Sequence, residues 1–372
     1  MPDTALDIRA NDPSVVPGRH WHALDDGRLQ CDLCPRHCRI GEGQRGLCFV
    51  RGVHEGRMVL TTYGRSSGFC IDPIEKKPLN HFLPGTPVLS FGTAGCNLTC
   101  SFCQNHDISK SRQMDTLADR AMPETLARAA RKLGCRSLAY TYNDPVIFLE
   151  YAVDTALACR NAGIANVAVT AGYITPQARD EFYRHMDAAN IDLKAFTEGF
   201  YRKLTGARLS DVLDTLLYLA TETPVWIEIT TLLIPDENDS PAEIERMSRW
   251  IGDNLGPDVP VHFTAFHPDY RMQDKTRTPH ATLTRAREVA RAQGLNFVYV
   301  GNVHDFDAQS TWCPGCGELL IGRDWHQLSH WALDPLGACR HCGHQIPGVF
   351  EAKPGTWGRK RQPVRLAAYE TA

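Results

Sequence analysis

Eleven of the fourteen cysteines in this 372-residue chain fall into three tight groups. Cys31, Cys34, Cys38 and Cys48 form the first, Cys96, Cys100 and Cys103 the second, and Cys313, Cys316, Cys339 and Cys342 the third. Thiolates grouped in this way bind zinc or iron–sulfur clusters. The second group reads Gly95-Cys96-Asn97-Leu98-Thr99-Cys100-Ser101-Phe102-Cys103. A loop with these spacings can wrap one cubane and ligate three of its irons. No fourth cysteine follows nearby, so one iron is left without a protein ligand. An open metal position signals chemistry, as it does at catalytic zinc. Two structural alternatives stand beside this reading: a zinc site completed by His106 or a distant residue, or a cluster completed by a remote cysteine.

The flanking groups have a different form. Cys313-Pro314-Gly315-Cys316-Gly317 and Cys339-Arg340-His341-Cys342-Gly343 are two knuckles. Four thiolates at this spacing suit tetrahedral zinc, in the manner of a zinc ribbon. Cys31, Cys34, Cys38 and Cys48 also make a four-thiolate set, which suits either zinc or a second 4Fe–4S cluster. Cys70, Cys135 and Cys159 stand alone and read as packing residues, because a free cysteine behaves as a small hydrophobe.

The elements that must position the central cysteines alternate. The apolar run Val88 to Phe91 enters the second cysteine group. A helix opens at Pro123, carries Leu126, Ala129, Ala130 and Leu133 on one face, and closes at Gly134. That is the spacing of an amphipathic helix, with Pro at its start and Gly at its end. Strands are expected at Ser137 to Thr141, Asn166 to Thr170, Ile191 to Ala195, Val225 to Leu233, Val261 to Phe266 and Phe297 to Val300. Helices are expected at Pro145 to Ala162, from Pro176, and at Ser210 to Ala220, Ser240 to Leu255 and Leu283 to Gln293. Such alternation implies an α/β fold with a parallel sheet and crossover helices. It is either doubly wound or a TIM-like barrel, and in both the ligand site lies at the carboxyl ends of the strands. The second cysteine group directly follows the first strand, at that end. The boundaries read as an N-terminal Cys-rich region over 1–80, a core over 81–305 and a zinc-ribbon-like module over 306–372.

Composition narrows the function classes. The net charge of −3 gives no basic surface that would suggest nucleic acid or a membrane. The basic tail at Arg359, Lys360 and Arg361 reads as a solvated terminus. The stretch Met1 to Arg19 is polar, with no apolar run of signal-peptide type. No later stretch approaches the ~18 apolar residues of a membrane span. A cytoplasmic protein is expected, whose reduced thiols bind metal rather than form disulfides.

Cys-x3-Cys-x2-Cys with an aromatic before its last cysteine, following the first strand of a βα domain, resembles the radical S-adenosylmethionine (SAM) superfamily. Longer stretches resemble the radical SAM member of the AmmeMemoRadiSam system. These are Asp72-Pro73-Ile74-Glu75-Lys76-Lys77-Pro78, His81-Phe82-Leu83-Pro84-Gly85, Cys103-Gln104-Asn105, Thr141-Tyr142-Asn143-Asp144-Pro145, Asp192-Leu193-Lys194 and His267-Pro268-Asp269-Tyr270. That family is similar to the activating enzymes of glycyl-radical enzymes.

The resemblance implies a partial (β/α)6-type TIM-like barrel with Cys96, Cys100 and Cys103 on a 4Fe–4S cluster. The open iron would chelate SAM, whose reductive cleavage gives a 5′-deoxyadenosyl radical. It also implies a reductant protein of flavodoxin or ferredoxin type, and Memo-like and AMMECR-like partners. Asn143 and Asp144 stand where the superfamily usually has a Gly-Gly-Glu turn, and offer oxygen acceptors to the SAM amino group. They also suit the start of a helix. Phe102, Thr170, Gly172, Asp192, Lys194, His267 and Asn302 are the further candidates around SAM. Glu228, inside a strand, needs a partner, while Lys76 and Lys77 suit structure or partner binding. The substrate reads as a partner protein, with two alternatives: radical modification of a small molecule, or a non-catalytic multi-metal scaffold.

Overall fold

The structure is a computed structural model and describes residues 6, 8, 12–111 and 119–370. Part of the polar stretch 1–19 lies outside the described residues. The central sheet opens with β1 (Arg65–Pro73), which runs antiparallel to β2 (Pro87–Gly92). Six more strands then pair in parallel, each onto the one before: β3 (Ser137–Tyr140), β4 (Ala165–Thr170), β5 (Ala188–Asp192), β6 (Trp226–Leu233), β7 (Val261–Ala265) and β8 (Val298–Gly301). Six helices make the crossovers: α1 (Pro123–Lys132), α2 (Leu149–Asn161), α3 (Pro176–Tyr183), α4 (Leu209–Glu222), α5 (Pro241–Leu255) and α6 (His280–Ala292). The spatial order follows the chain without reversing. A doubly wound sheet reverses at a switch point, so this is the partial-barrel arrangement. Among the described residues β8 does not pair back onto the first strands, and the barrel stays open.

Local chemistry explains most element ends. Pro123 opens α1, whose Leu126, Ala129 and Ala130 are buried. Ser240 caps α5 by accepting from the Glu243 N–H, and Ile244, Met247 and Ile251 face inward. Three elements differ from expectation. Helix α6 starts at His280, directly after Pro279 and three residues before Leu283. The segment from Pro145 begins as a 3-10 turn, Pro145–Phe148, before α2 starts. Strand β5 lies three residues earlier than Ile191 to Ala195. Ala188, Ala189 and Asn190 carry its pairing and are buried, because small residues fit a strand covered on both faces. Lys194 therefore sits just beyond the strand rather than within it.

The N-terminal region forms two three-stranded sheets. The first joins Val16–Pro17, Arg57–Leu60 and Arg51–His54, and the second Trp21–Ala23, Leu29–Cys31 and Arg39–Ile40. A buried ion pair fastens them to α2. Arg51 reaches both carboxylate oxygens of Glu150 (2.7 and 3.0 Å), and Glu150 also accepts from the Arg19 backbone N–H. Glu150→Ala leaves the buried guanidinium uncompensated, and we expect a loss of about 3–5 kcal/mol. Urea unfolding checks this, and a loss under 1 kcal/mol would show the pair to be dispensable.

At the other end, Thr311–Trp312, Leu319–Asp324 and Gln327–Trp331 form a small sheet. Its Leu320 and Ile321, with Leu333 just after it, pack with Phe297 and Tyr299 of the core. The chain then returns, and Gln362–Pro363 pairs with β1. Glu228 finds the partners its burial demands. His262 Nε2 lies at 2.7 Å, and the N–H groups of Asn80, His81 and Trp226 Nε1 also point at it. Burial alone would raise its pKa, but these donors outweigh burial and hold it below the usual glutamate value. Glu228 is thus a structural charge at the amino-terminal half of the sheet. No helix among the described residues is long and apolar enough to cross a membrane.

Candidate active site

The central cysteine loop leaves β2 at Gly92 and is braced on every side. The Asn143 amide, just past β3, spans its base. Oδ1 accepts from the Thr93 N–H (3.1 Å), and Nδ2 donates to Thr93 Oγ1 (3.1 Å) and to the Gly95 carbonyl (2.9 Å). Arg36 Nε donates to the Asn97 carbonyl (2.8 Å), and Lys110 Nζ to that of Leu98 (2.8 Å). Thr99 and Ser101 donate their N–H groups to Thr205 and Leu204. So held, Cys96, Cys100 and Cys103 all face one pocket of about 500 Å³ at the carboxyl ends of the strands.

The spacing of sulfurs separates two kinds of site. Among the described residues, Cys313, Cys316, Cys339 and Cys342 are the one group of metal-ligating side chains whose donor atoms all lie within 4.8 Å of one another. A single tetrahedral ion with bonds of about 2.3 Å requires sulfurs about 3.8 Å apart, and these stand at 3.6 Å (Cys313–Cys342) and 3.8 Å (Cys316–Cys339). Cys96, Cys100 and Cys103 do not close to that spacing. His106 lies off the pocket wall and stacks on Tyr270. The three central sulfurs fit a cluster in which each thiolate takes its own iron, rather than a zinc ion completed by His106. No other cysteine lies on the pocket wall. Burial pushes the Cys100 thiol up to about 12, with Lys194 opposing, and raises that of Cys96. A metal held here would have to displace the protons of these thiols.

Most of the expected residues meet in this pocket. Phe102, Asn143, Asp144, Thr170, Asp192, Lys194 and Asn302 are on its wall. Asp144 caps the 3-10 turn through the Val146 N–H, and also accepts from Thr170 Oγ1 (2.9 Å) and the Ala171 N–H (3.1 Å). Burial raises its pKa to about 6 against these donors. Asn143 and Asp144 thus brace the site even where they face it, and the helix-start reading of Asp144 holds. Asp192 Oδ2 and Lys194 Nζ pair at 2.9 Å. Burial would lower the Lys194 pKa, but Asp192 and Cys100 keep it above the ordinary lysine value. Its ammonium lies 5.9 Å from the Phe102 ring centroid. Gly172 and His267 are not on the wall. Gly172 turns the chain at φ +64, and His267 is exposed.

The opposite wall carries charge that sequence reasoning did not assign to the pocket. Asp72 binds the buried Lys77 (2.7 Å) and Lys76 (3.2 Å). Burial works against its ionisation, but Lys77 pulls its pKa down to about 2. Cys70 meets both Tyr142 Oη (3.0 Å) and Asp72 Oδ2 (3.2 Å). Arg361 also reaches the wall, so this part of the basic tail is not a free solvated terminus. The only available signal was the dense Asp72 to Pro78 motif. Nothing local marked Arg361.

A model of the radical SAM superfamily matches residues 91–251. An uncharacterized protein of Methanocaldococcus jannaschii is 38% identical over 331 residues, covering 89% of this chain and 98% of that one. A pyruvate formate-lyase-activating enzyme of Clostridium pasteurianum is 24% identical over 192 residues, covering 48% and 80%. The crystal structure of a radical SAM methyltransferase from Sphaerobacter thermophilus covers 82% of this chain and 81% of its own, with a TM-score of 0.47 and 17% identity. The matched region begins on the strand that delivers the cysteine loop. The chain belongs to the radical SAM superfamily of enzymes.

Proposed function

We propose that Cys96, Cys100 and Cys103 ligate a 4Fe–4S cluster whose fourth iron binds SAM in the pocket at the strand ends. One observation carries this: three cysteines on one braced loop open onto a large pocket with no fourth cysteine on its wall. When bound, the pair supplies a 5′-deoxyadenosyl radical that abstracts hydrogen from substrate. Phe102, Thr170, Asp192, Lys194 and Asn302 border the cofactor space, while Asn143 and Asp144 fix the loop and the β3–β4 edge around it. The Lys194 ammonium, kept charged by Asp192, faces Cys100 and steadies the thiolate charge there. Gly172 and His267 lie off the wall and are not proposed as cofactor contacts.

The substrate we propose is a residue of a partner protein, as in an activating enzyme. Similarity to pyruvate formate-lyase-activating enzymes supports this. A flavodoxin or ferredoxin would supply the electron, and Memo-like and AMMECR-like proteins of an AmmeMemoRadiSam system are the partners to try first. A second reading, a charged small molecule, draws on the wall formed by Asp72, Lys76, Lys77 and Arg361. Reduced enzyme with SAM and deuterated candidates separates the two. Deuterium in 5′-deoxyadenosine identifies the donor, and cluster-loaded enzyme that makes no 5′-deoxyadenosine with any partner would sink the proposal.

We further propose cytoplasmic residence, and that 1–80 and 306–372 carry metal sites flanking a core at 81–305, to whose sheet 1–80 also lends strand β1 (Arg65–Pro73). Zinc suits the C-terminal quartet, whose sulfur spacing is that of a single tetrahedral ion. Cys339→Ala then loses one zinc per chain and roughly several kcal/mol of that module's stability. Metal analysis and limited proteolysis around residues 311–346 check this. Unchanged zinc would refute it.

A further inference from the structure

The two four-cysteine groups of this chain differ in shape, and the difference identifies what each can hold. The C-terminal four sulfurs are drawn together to single-ion spacing. Cys31, Cys34, Cys38 and Cys48 are not: no three of their sulfurs come within 4.8 Å of one another. They are nevertheless one constellation. All four line a single recess. Cys31, Cys34 and Cys48 are buried. Leu33, Ile40 and Ile147 supply apolar wall, and the charged groups on it, Arg36 and Arg51, are both cationic. A tetrathiolate zinc would need these sulfurs about 3.8 Å apart around bonds of about 2.3 Å. A cubane takes one thiolate at each iron, so its sulfurs stand farther apart around an enclosed volume. Cationic side chains complement the net negative charge of such a group.

We infer that Cys31, Cys34, Cys38 and Cys48 hold a second 4Fe–4S cluster, ligated at all four irons and closed to SAM. Its position is as informative as its ligands. The Cys48 carbonyl lies where a side chain on Gly95 would start, 1.9 Å from an ideal Cβ there. Asn97 is on the wall of the N-terminal recess, while its Oδ1 lies 3.9 Å from Cys96 Sγ. The loop that carries the central cysteines thus packs against the N-terminal set at Gly95 and Asn97. The ligand assignment stands on the N-terminal cysteines alone. Only the statement that its neighbour is a SAM-binding cluster rests on the function proposed above.

Anaerobically reconstituted protein tests this by iron, sulfide and zinc analysis with EPR of the reduced sample. In the triple variant Cys96→Ala/Cys100→Ala/Cys103→Ala, roughly half the iron should remain, as expected for one of two four-iron clusters. Its EPR signal should not respond to SAM. Cys34→Ser should lose the other half and keep a SAM-responsive signal. If the triple variant holds no iron, or if the unaltered protein carries two zinc ions per chain, the inference is overturned, and the second measurement needs no variant to fold. If the triple variant keeps all of its iron, the N-terminal site stands and the triad assignment is the one that falls.

Discussion

Cys100→Ala is expected to abolish SAM cleavage and remove the iron bound at the central loop, while leaving the fold intact. Cys100 is the middle cysteine of the three, it is buried, and it lines the pocket together with Lys194. Two thiolates alone would leave two irons of a cubane open and a loop without its central anchor. Losing an outer support of a metal ligand costs roughly 10–100-fold. Losing the ligand itself should exceed that, and 5′-deoxyadenosine production should fall below detection. Stability should change little by comparison, because Leu98 and Phe102 keep the loop packed in the core. The check is iron content together with 5′-deoxyadenosine yield under dithionite. A variant with full iron and full cleavage would mean that the cluster lies elsewhere.

What could be read from the sequence follows the range of the interactions involved. The cysteine spacing and five of the six crossover helices are local patterns, and each appears close to where periodicity and capping put it. The pair Asp192 and Lys194 was also legible, being two residues apart, although the strand carrying it ends sooner than its branched residues suggested. Reading strands by apolar bulk passes over Ala188-Ala189-Asn190, where small side chains are what two covered faces require. Gly172 and His267 were chosen because they follow strand ends. Following a strand end does not determine which way a loop turns, and both turn off the wall. Arg361, Arg51–Glu150 and the placing of Cys48 against Gly95 were illegible for one reason. Each joins segments far apart in the chain, and no spacing rule reports on such contacts.

The last of those contacts gives the second large effect. Gly95 precedes the first cluster ligand and sits at φ +82, in the left-handed region that favours glycine. The position a side chain would take points at the Cys48 carbonyl, and an added Cβ would lie 1.9 Å from that oxygen. The neighbour is backbone, so it cannot swing aside as a side-chain tip could. Gly95→Ala must therefore push the central loop away from the N-terminal module and strain the Gly95 carbonyl bond to Asn143. We expect central-loop iron and SAM cleavage to fall by roughly 10–100-fold, the range for losing support around a metal ligand. Gly134→Ala supplies the control. It has nearly the same backbone conformation, φ +70, but nothing within 4 Å of the added carbon. It incurs only the left-handed penalty, about 1–2 kcal/mol, and should retain normal iron. Equal iron in the two variants would show that backbone conformation alone matters at Gly95. A selective loss in Gly95→Ala would show that the two cysteine modules are fitted to each other at this residue.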